Sequence, residues 1–156
     1  MKNKRAMAYA ITVDYALRPA EGLREAFDRV GQEFWDVSGW ERLEVCLKVP
    51  CDGTREITVH LIEFGEGIST ADALRALGQR GYRPATFEEF VAFISAYPGT
   101  VSEVPIAAAG TRGLWKGCIP CHAFASLEDS KRCLTVADEW SGPCFHLAVR
   151  HLRLMH

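Results

Sequence analysis

The chain has 156 residues, 48% of them hydrophobic, and a formal net charge of -2 that results from 18 basic and 20 acidic side chains. This length and composition predict a single globular domain, residues 1–156, with a sizeable core. The balanced charge excludes a strongly basic nucleic-acid-binding protein and a polyanionic tail. No apolar run has the length that spans a membrane, and the basic start Met1–Arg5 does not lead into a signal-peptide core. We therefore expect no membrane partner and a cytoplasmic location.

The first portion, residues 1–66, has the pattern of a strand, a helix and a hairpin. Apolar side chains alternate with small or polar ones from Tyr9 to Tyr15, which is the period of a half-buried strand. Apolar residues at helical spacing then predict an amphipathic helix from Pro19 to about Trp35. Alternation returns at 43–49 and 57–61, on either side of turn residues. This pattern predicts a β-hairpin.

The stretch 69–97 carries the most consistent local signals, and it predicts two helices joined by a tight turn. Ser69 is a favourable N-cap, and Gly81 suits the left-handed position that ends the first helix. Thr86 and Glu89 have the spacing of a capping box at the start of the second helix. The predicted core residues of this helix pair are Leu74, Leu77, Phe87, Phe90, Val91 and Ile94.

After Pro98 the pattern changes to short extended pieces separated by turns. The predicted strands are 104–109, 117–124, 133–137 and 145–152. No internal repeat or linker interrupts the chain. The helix pair and these antiparallel strands therefore form a second portion, residues 67–156, of the same α+β domain.

Three runs of residues resemble an uncharacterised family of small bacterial and phage proteins. They are GYRPATFEEF at Gly81–Phe90, VPIAAAG at Val104–Gly110 and FHLAVR at Phe145–Arg150. Members of that family carry a G-Y-R-P-A-T-x-E-E-L box, a later F-P-I-V-A-L-G-S strand and a terminal F-L-A-V-R-K. The resemblance covers about Val13 to Arg150. It implies a layout of elements and assigns no site.

This chain departs from the pattern of that family in three places. Ala107–Ala109 stands where the family has the bulkier V-A-L, and His146 stands where it has the first leucine of the last strand. The segment 118–122 is rich in cysteine where the family is expected to be apolar.

The run Gly81–Phe90 is also similar, more distantly, to the central box G-x-R-L-P-T-x-x-E-W-E of C-type lectin-like domains, including the formylglycine-generating-enzyme type. This resemblance implies that a strand precedes the two helices, that several short strands follow, and that the last strand returns beside the first. The catalytic cysteines of the oxidase branch have no matching motif in this sequence. The acidic, Asn and Trp pattern of calcium-dependent sugar binding has none either, so neither activity is implied.

The sharpest chemical motif is CIPCH at 118–122. A C-x-x-C turn directs two thiolates toward one tetrahedral metal, and later cysteines, with His146 nearby, can complete a zinc site. The predicted zinc ligands are Cys118, Cys121, Cys133 and Cys144. Cysteines packed in the core are the simpler interpretation, and under it we expect no cofactor. The motif also matches a c-type haem attachment site, which the N-terminus does not support, and a redox thiol pair.

The remaining signals favour binding over catalysis, and we predict no catalytic residues. The connections 111–117, 125–132 and 138–143 are expected to gather on one side of a lectin-like scaffold, with the mixed aromatic and charged composition of a protein interface. The predicted partner-binding residues are Trp115, Lys116, Lys131, Arg132, Asp138, Glu139 and Trp140. Tryptophans that fold back onto the sheet are the competing interpretation.

These observations predict a non-catalytic binding or accessory protein with a protein partner. One alternative is a zinc-stabilised domain that associates with nucleic acid as part of a nucleoprotein machine. The other is a thiol-dependent enzyme that uses the C-x-x-C pair.

Overall fold

The computed structural model describes residues 6–16, 34–37, 43–45, 53–64, 68–115, 119–137 and 142–150. Within these ranges the chain is a mixed α and β structure with two α-helices and a strand-rich sheet. The helices are α1 (Thr70–Gln79) and α2 (Phe87–Ala96), and a 3-10 helix (Pro98–Thr100) follows α2. The strands are β1 (Ala6–Asp14), β2 (Phe34–Val37), β3 (Leu43–Val45), β4 (Thr54–Phe64), β5 (Tyr82–Pro84), β6 (Ile106–Trp115), β7 (Ile119–Glu128), β8 (Lys131–Ala137) and β9 (Cys144–Arg150).

The strands join in the order β1-β4-β9-β6-β7-β8-β2, with β3 paired to β6 and β5 paired to β9. The predicted strand at 9–15 is confirmed as β1, and the strands after Pro98 are confirmed in the residues that the structure describes. The ends of β6 and β7 lie six and four residues beyond the predicted ends, and residues 117–118 and 151–152 lie outside the described residues. The last described strand, β9, pairs with β4, which precedes the helices. It does not pair with β1, because β4 lies between the two strands, so the last described strand returns beside the strand that precedes the helices and not beside the first strand of the chain.

The predicted hairpin between 43–49 and 57–61 is wrong in its pairing. Leu43 lies opposite Gly113 of β6, whereas β4 pairs along its length with β1. Residues 43–45 and 57–61 do form strands, as alternation predicts, and residues 46–49 lie outside the described residues. Alternation does not specify the partner strand. The alternation of apolar residues therefore predicts where strands lie in the sequence, whereas long-range packing determines which strands pair.

The predicted helix from Pro19 to about Trp35 is wrong at its C-terminal end, because Phe34 and Trp35 belong to β2. This strand pairs in parallel with β8, so that Val37 lies opposite Leu134. The rest of the predicted helix lies outside the described residues. Pairing with a neighbouring strand thus overrides the weak helical spacing at 34–35.

Both central helices are confirmed, together with their caps. The Ser69 hydroxyl accepts a hydrogen bond from the Asp72 backbone N–H at 3.1 Å, and Gly81 has a φ of 81°. Thr86 and Glu89 form the capping box of α2. The connection between the helices is not a simple tight turn, because Tyr82–Pro84 forms β5 and pairs with β9.

The core covers both faces of the sheet. Side chains of α2 pack on one face against strands from both portions of the chain, and α1 packs on the other. We call these the α2 face and the α1 face. Of the predicted core residues, Leu77, Phe87, Phe90, Val91 and Ile94 are buried, whereas Leu74 is only half-buried.

β6 bends where it leaves β9. From Ala108 to Gly113 the chain covers five residues while the facing β7 covers two, from Ala123 to Cys121, which is a bulge in β6. Within the bulge, a Cβ atom on Gly110 would collide with the carbonyl oxygen of Ala85. Glycine at this position lets the backbone before α2 lie directly against the sheet.

Among the described residues, no helix is long and apolar enough to cross a membrane.

Candidate functional site

The motif GYRPATFEEF folds around the buried carboxylate of Glu89. This side chain is 0% exposed, although it belongs to the first turn of α2. Arg83 binds it with both terminal nitrogens, each at 2.8 Å from one carboxylate oxygen. The backbone N–H of Thr86 donates to Oε1 at 2.8 Å, and the hydroxyl of Tyr15 donates to Oε2 at 2.6 Å. Four donors therefore occupy the four acceptor positions of the carboxylate.

These bonds determine the charge state of Glu89 and Arg83. Burial by itself raises the pKa of the Glu89 carboxyl, but the hydrogen bonds from Arg83, Tyr15 and Thr86 and the charge of Arg83 outweigh it and hold the pKa below its usual value. Burial likewise lowers the pKa of Arg83, and the contact with Glu89 raises it overall. Both groups are ionised, and every acceptor position of the Glu89 carboxylate is occupied. We interpret it as a structural network that joins the turn after β1, β5 and α2.

One end of the sheet contains Trp115, a predicted partner-binding residue that the structure describes, and we call it the Trp115 end. There β6 finishes at Trp115, β7 begins at Ile119, and β8 finishes at Ala137, opposite His122 of β7. Because β6 and β8 both run antiparallel to β7, their C-terminal ends lie at the same end of the sheet. Lys116, Asp138, Glu139 and Trp140 lie outside the described residues and follow these two strand ends directly in sequence.

Lys131 and Arg132 lie at the opposite end of the sheet. Lys131 pairs with Glu128, nine residues along β7 from Ile119, which corresponds to about 30 Å. Lys131 is exposed, whereas Arg132 is half-buried and donates from Nε to the carbonyl of Pro98 at 3.0 Å. The structure therefore does not bring these two residues together with Trp115.

Much of the two predicted connections 111–117 and 125–132 is strand. Thr111–Trp115 continues β6, and the turn between β7 and β8 consists of Asp129 and Ser130, both with positive φ. A two-residue turn with this conformation matches the twist of a hairpin. The expectation that all three connections gather on one side is wrong, because this turn and Trp115 lie at opposite ends of β7.

Two of the four predicted zinc ligands are described with their side chains, and both are buried. Cys133 and Cys144 lie in the same row across the sheet, but β7 and β6 separate their strands, a distance of about 14 Å along the sheet. Cys121 is described only by its backbone position in β7, and Cys118 lies outside the described residues. Among the described residues no group of three or more His, Cys, Asp or Glu side chains could hold a metal ion.

The α1 face carries two buried titratable groups, His146 and Cys144. His146 is 4% exposed, lies edge-on to Phe64 at 5.3 Å between ring centroids, and has an Nδ1 atom without a hydrogen-bond partner in the described structure. Burial, with a smaller contribution from His122, lowers the pKa of His146 to about 4. Burial also raises the pKa of the Cys144 thiol to about 11. At neutral pH both groups are uncharged.

Three further side chains meet where β4, β9 and β5 lie side by side. The ring of Tyr82 contacts His60 edge-on at 5.2 Å between centroids, and the guanidinium carbon of Arg150 lies 5.3 Å from the Tyr82 centroid. Arg150 Nη2 donates to the Tyr82 hydroxyl at 3.3 Å. Tyr82 is 9% exposed, His60 is half-buried and Arg150 is exposed. We call these three residues the Arg150 cluster.

The sequence contained a partial signal for the Arg150 cluster. Tyr82 belongs to the GYRPAT motif and Arg150 ends the FHLAVR motif, so both residues lie in motifs that resemble the bacterial and phage family. His60 gave no sign beyond its place in an alternating strand. Only the pairing of β9 with both β4 and β5 brings the three residues together.

Comparisons of the chain with protein-family models, with curated proteins and with solved structures find no match.

Proposed function

We propose that this chain is a non-catalytic binding or accessory protein that recognises a protein partner through the Trp115 end of the sheet. The observation that carries the proposal is the convergence of two strand ends there, β6 at Trp115 and β8 at Ala137. The sequence that follows them supplies Lys116, Asp138, Glu139 and Trp140. Tryptophans with charges around them have the composition of an interface whose centre is desolvated on binding.

The state of the described polar groups supports binding over catalysis. Glu89 has all its acceptor positions occupied, His146 is buried and neutral, and Cys144 is held as a thiol. A nucleophile or a general base requires an accessible group with a pKa near the working pH. These three groups serve the fold instead.

The proposal includes kinship with the bacterial and phage family that carries the GYRPAT box, and a lectin-like layout. The pairing of β9 with β4, the strand that precedes the helices, supports that layout. In such a layout the helices and the paired strands are the scaffold, and recognition belongs to the connections between the later strands.

A double substitution tests the partner-binding role. Trp115→Ala with Trp140→Ala should abolish capture of partner proteins from a lysate of the source organism, because it removes both aromatic anchors. Lys131→Ala, at the opposite end of the sheet, is the matched control and should capture the same proteins as the parent. Thermal unfolding measured by circular dichroism must show that each variant is folded. Undiminished capture by a folded double variant, or no capture by the parent, contradicts the proposal.

A further inference from the structure

We propose that the Arg150 cluster is a binding site for a small oxyanion, with phosphate as the best-fitting class. Its three side chains present hydrogen-bond donors at one place on the α1 face. The proposal concerns a different group of residues from the Trp115 end and does not depend on the protein-binding role.

Several N–H and O–H donors of the Arg150 cluster have no acceptor among the described residues. A guanidinium group has five N–H donors, and within the described structure Arg150 uses one of them, for the Tyr82 hydroxyl. That hydroxyl accepts the bond and keeps its own proton to donate. The His60 and Tyr82 rings form a T-shaped contact, and His60 makes no hydrogen bond to a described residue. A group with several acceptor oxygens satisfies all three residues together.

The described contacts of the cluster include a positive charge and no negative one. Within the described part of the chain, neither His60 nor Arg150 contacts a carboxylate. Arg83, adjacent to Tyr82, is tied to Glu89, and Arg80 adds a further exposed positive charge nearby in the chain. On the same face of β4 the acidic residue closest to His60 in sequence is Glu56, four residues and about 13 Å away. An anion at the cluster therefore meets the positive charge of Arg150, which is in contact with no described carboxylate.

The backbone register places an alanine on each side of His60, and Tyr82 restrains Arg150. His60 lies opposite Ala8 in β1, which is exposed, and opposite Ala148 in β9, which is fully buried. The Tyr82 ring also holds the guanidinium of Arg150 in place through a cation–π contact and a hydrogen bond. Arg150 thus loses less side-chain freedom when it binds than an unrestrained surface arginine does.

Binding of an anion is coupled to the protonation of His60. Burial, and then the charge of Arg150, lower the pKa of His60 in the free protein. An anion beside the ring favours the imidazolium form and raises this pKa. By linkage, the anion binds more tightly below the His60 pKa, and affinity falls as the pH rises through the pKa of the bound state.

Proton NMR of the histidine ring, with His60 assigned from a His60→Gln spectrum, tests the site. Inorganic phosphate is titrated at constant ionic strength, with sodium chloride as the reference salt, and sodium acetate is titrated separately. We expect a saturable shift of the His60 resonance and a raised His60 pKa with phosphate. A saturable response to acetate as well assigns the site to oxyanions in general, and a response to phosphate alone assigns it to phosphoryl groups. Equal responses to phosphate and chloride overturn the proposal.

Substitutions test whether phosphate binds at the Arg150 cluster. Arg150→Gln should weaken phosphate binding about tenfold or more, because it removes a charge-assisted interaction. Tyr82→Phe keeps the buried ring and removes one donor, so it should weaken binding a few-fold. Arg75→Gln is the matched control, since Arg75 is an exposed arginine that pairs with Asp72, and it should leave binding unchanged. Parent-like binding by Arg150→Gln and Tyr82→Phe, with folding verified by circular dichroism, also overturns the proposal.

Discussion

Single buried groups determine how this protein responds to pH. His146 is enclosed on the α1 face beside Phe64, and its Nδ1 atom finds no partner in the described structure. Burial disfavours the imidazolium form, so the folded protein keeps the ring neutral at pH values where the unfolded chain binds a proton. Acid therefore favours unfolding.

The sign and size of this effect give a prediction for His146→Leu. Folding lowers the pKa of His146 from its ordinary value of 6.5 to about 4. The unfolded chain binds the extra proton between these values, so the parent should lose about 3 kcal/mol of stability as the pH falls from 6.5 to 4. His146→Leu should lack this loss and gain about 1 kcal/mol at pH 7, because a buried orphan polar atom is removed.

Urea denaturation at several pH values measures this prediction. His60→Gln is the control: His60 is only half-buried, and its loss should leave most of the acid sensitivity in place. Parallel stability curves for the parent and His146→Leu from pH 7 to pH 4 would show that His146 is not the responsible group.

At the scale of elements, the Glu89 network explains why the GYRPAT box needs its charged residues. Arg83 lies in β5, Glu89 in α2, and Tyr15 in the turn after β1, so one carboxylate joins three separate elements. The capping box alone requires only Thr86 and an acceptor at Glu89. The ion pair adds the orientation of β5 relative to α2, which local capping does not specify.

Glu89→Gln should destabilise the protein by about 3–5 kcal/mol at pH 7, because it leaves the largely buried Arg83 without its counter-charge. Glu88→Gln is the control, since Glu88 occupies the same helix turn, is half-buried, and should cost less than about 1 kcal/mol. The lowered Glu89 pKa implies that the contribution of Glu89 is present above the unfolded pKa and is lost as the pH falls through the folded pKa. Equal urea midpoints for the two variants would contradict this account.

Local signals predicted the elements better than their pairings. Caps at Ser69 and Thr86 located α1 and α2, and alternation located β1, β4 and the later strands. The pairing of β3 with β6 and the strand at Phe34–Val37 depend on residues far apart in the sequence, and no local pattern carries that information. The Arg150 cluster could not be predicted from the sequence for the same reason, because only the pairing of β9 with β4 and β5 brings its members together.

At the scale of the whole molecule, the core on the α2 face draws on both portions of the chain. Ile11 and Val59 from the first portion pack with Phe90, Ile106 and Leu147 from the second. A shared core implies that the described elements unfold together. Phe90 is fully buried at its centre.

Phe90→Ala should cost about 3–5 kcal/mol, since it opens a cavity in this shared core. Urea unfolding followed by tryptophan fluorescence and by far-UV circular dichroism should give one coincident transition, with a lower midpoint and an unchanged slope. Met7→Ala, at a side chain that is 38% exposed, is the control and should shift the midpoint little. Separate transitions by the two probes would divide the chain into independent units.

The position of β9 has a consequence for synthesis on the ribosome. β9 follows every other described strand in the chain, yet it lies inside the sheet and pairs with β4, β5 and β6. Until this segment leaves the exit tunnel, the backbone edges of β4 and β6 that it later occupies have no partner strand. A nascent chain in this state is open to intermolecular strand pairing. Completion of the sheet is therefore a late event, and molecules stalled before Cys144 should be targets for chaperones or proteases rather than folded intermediates.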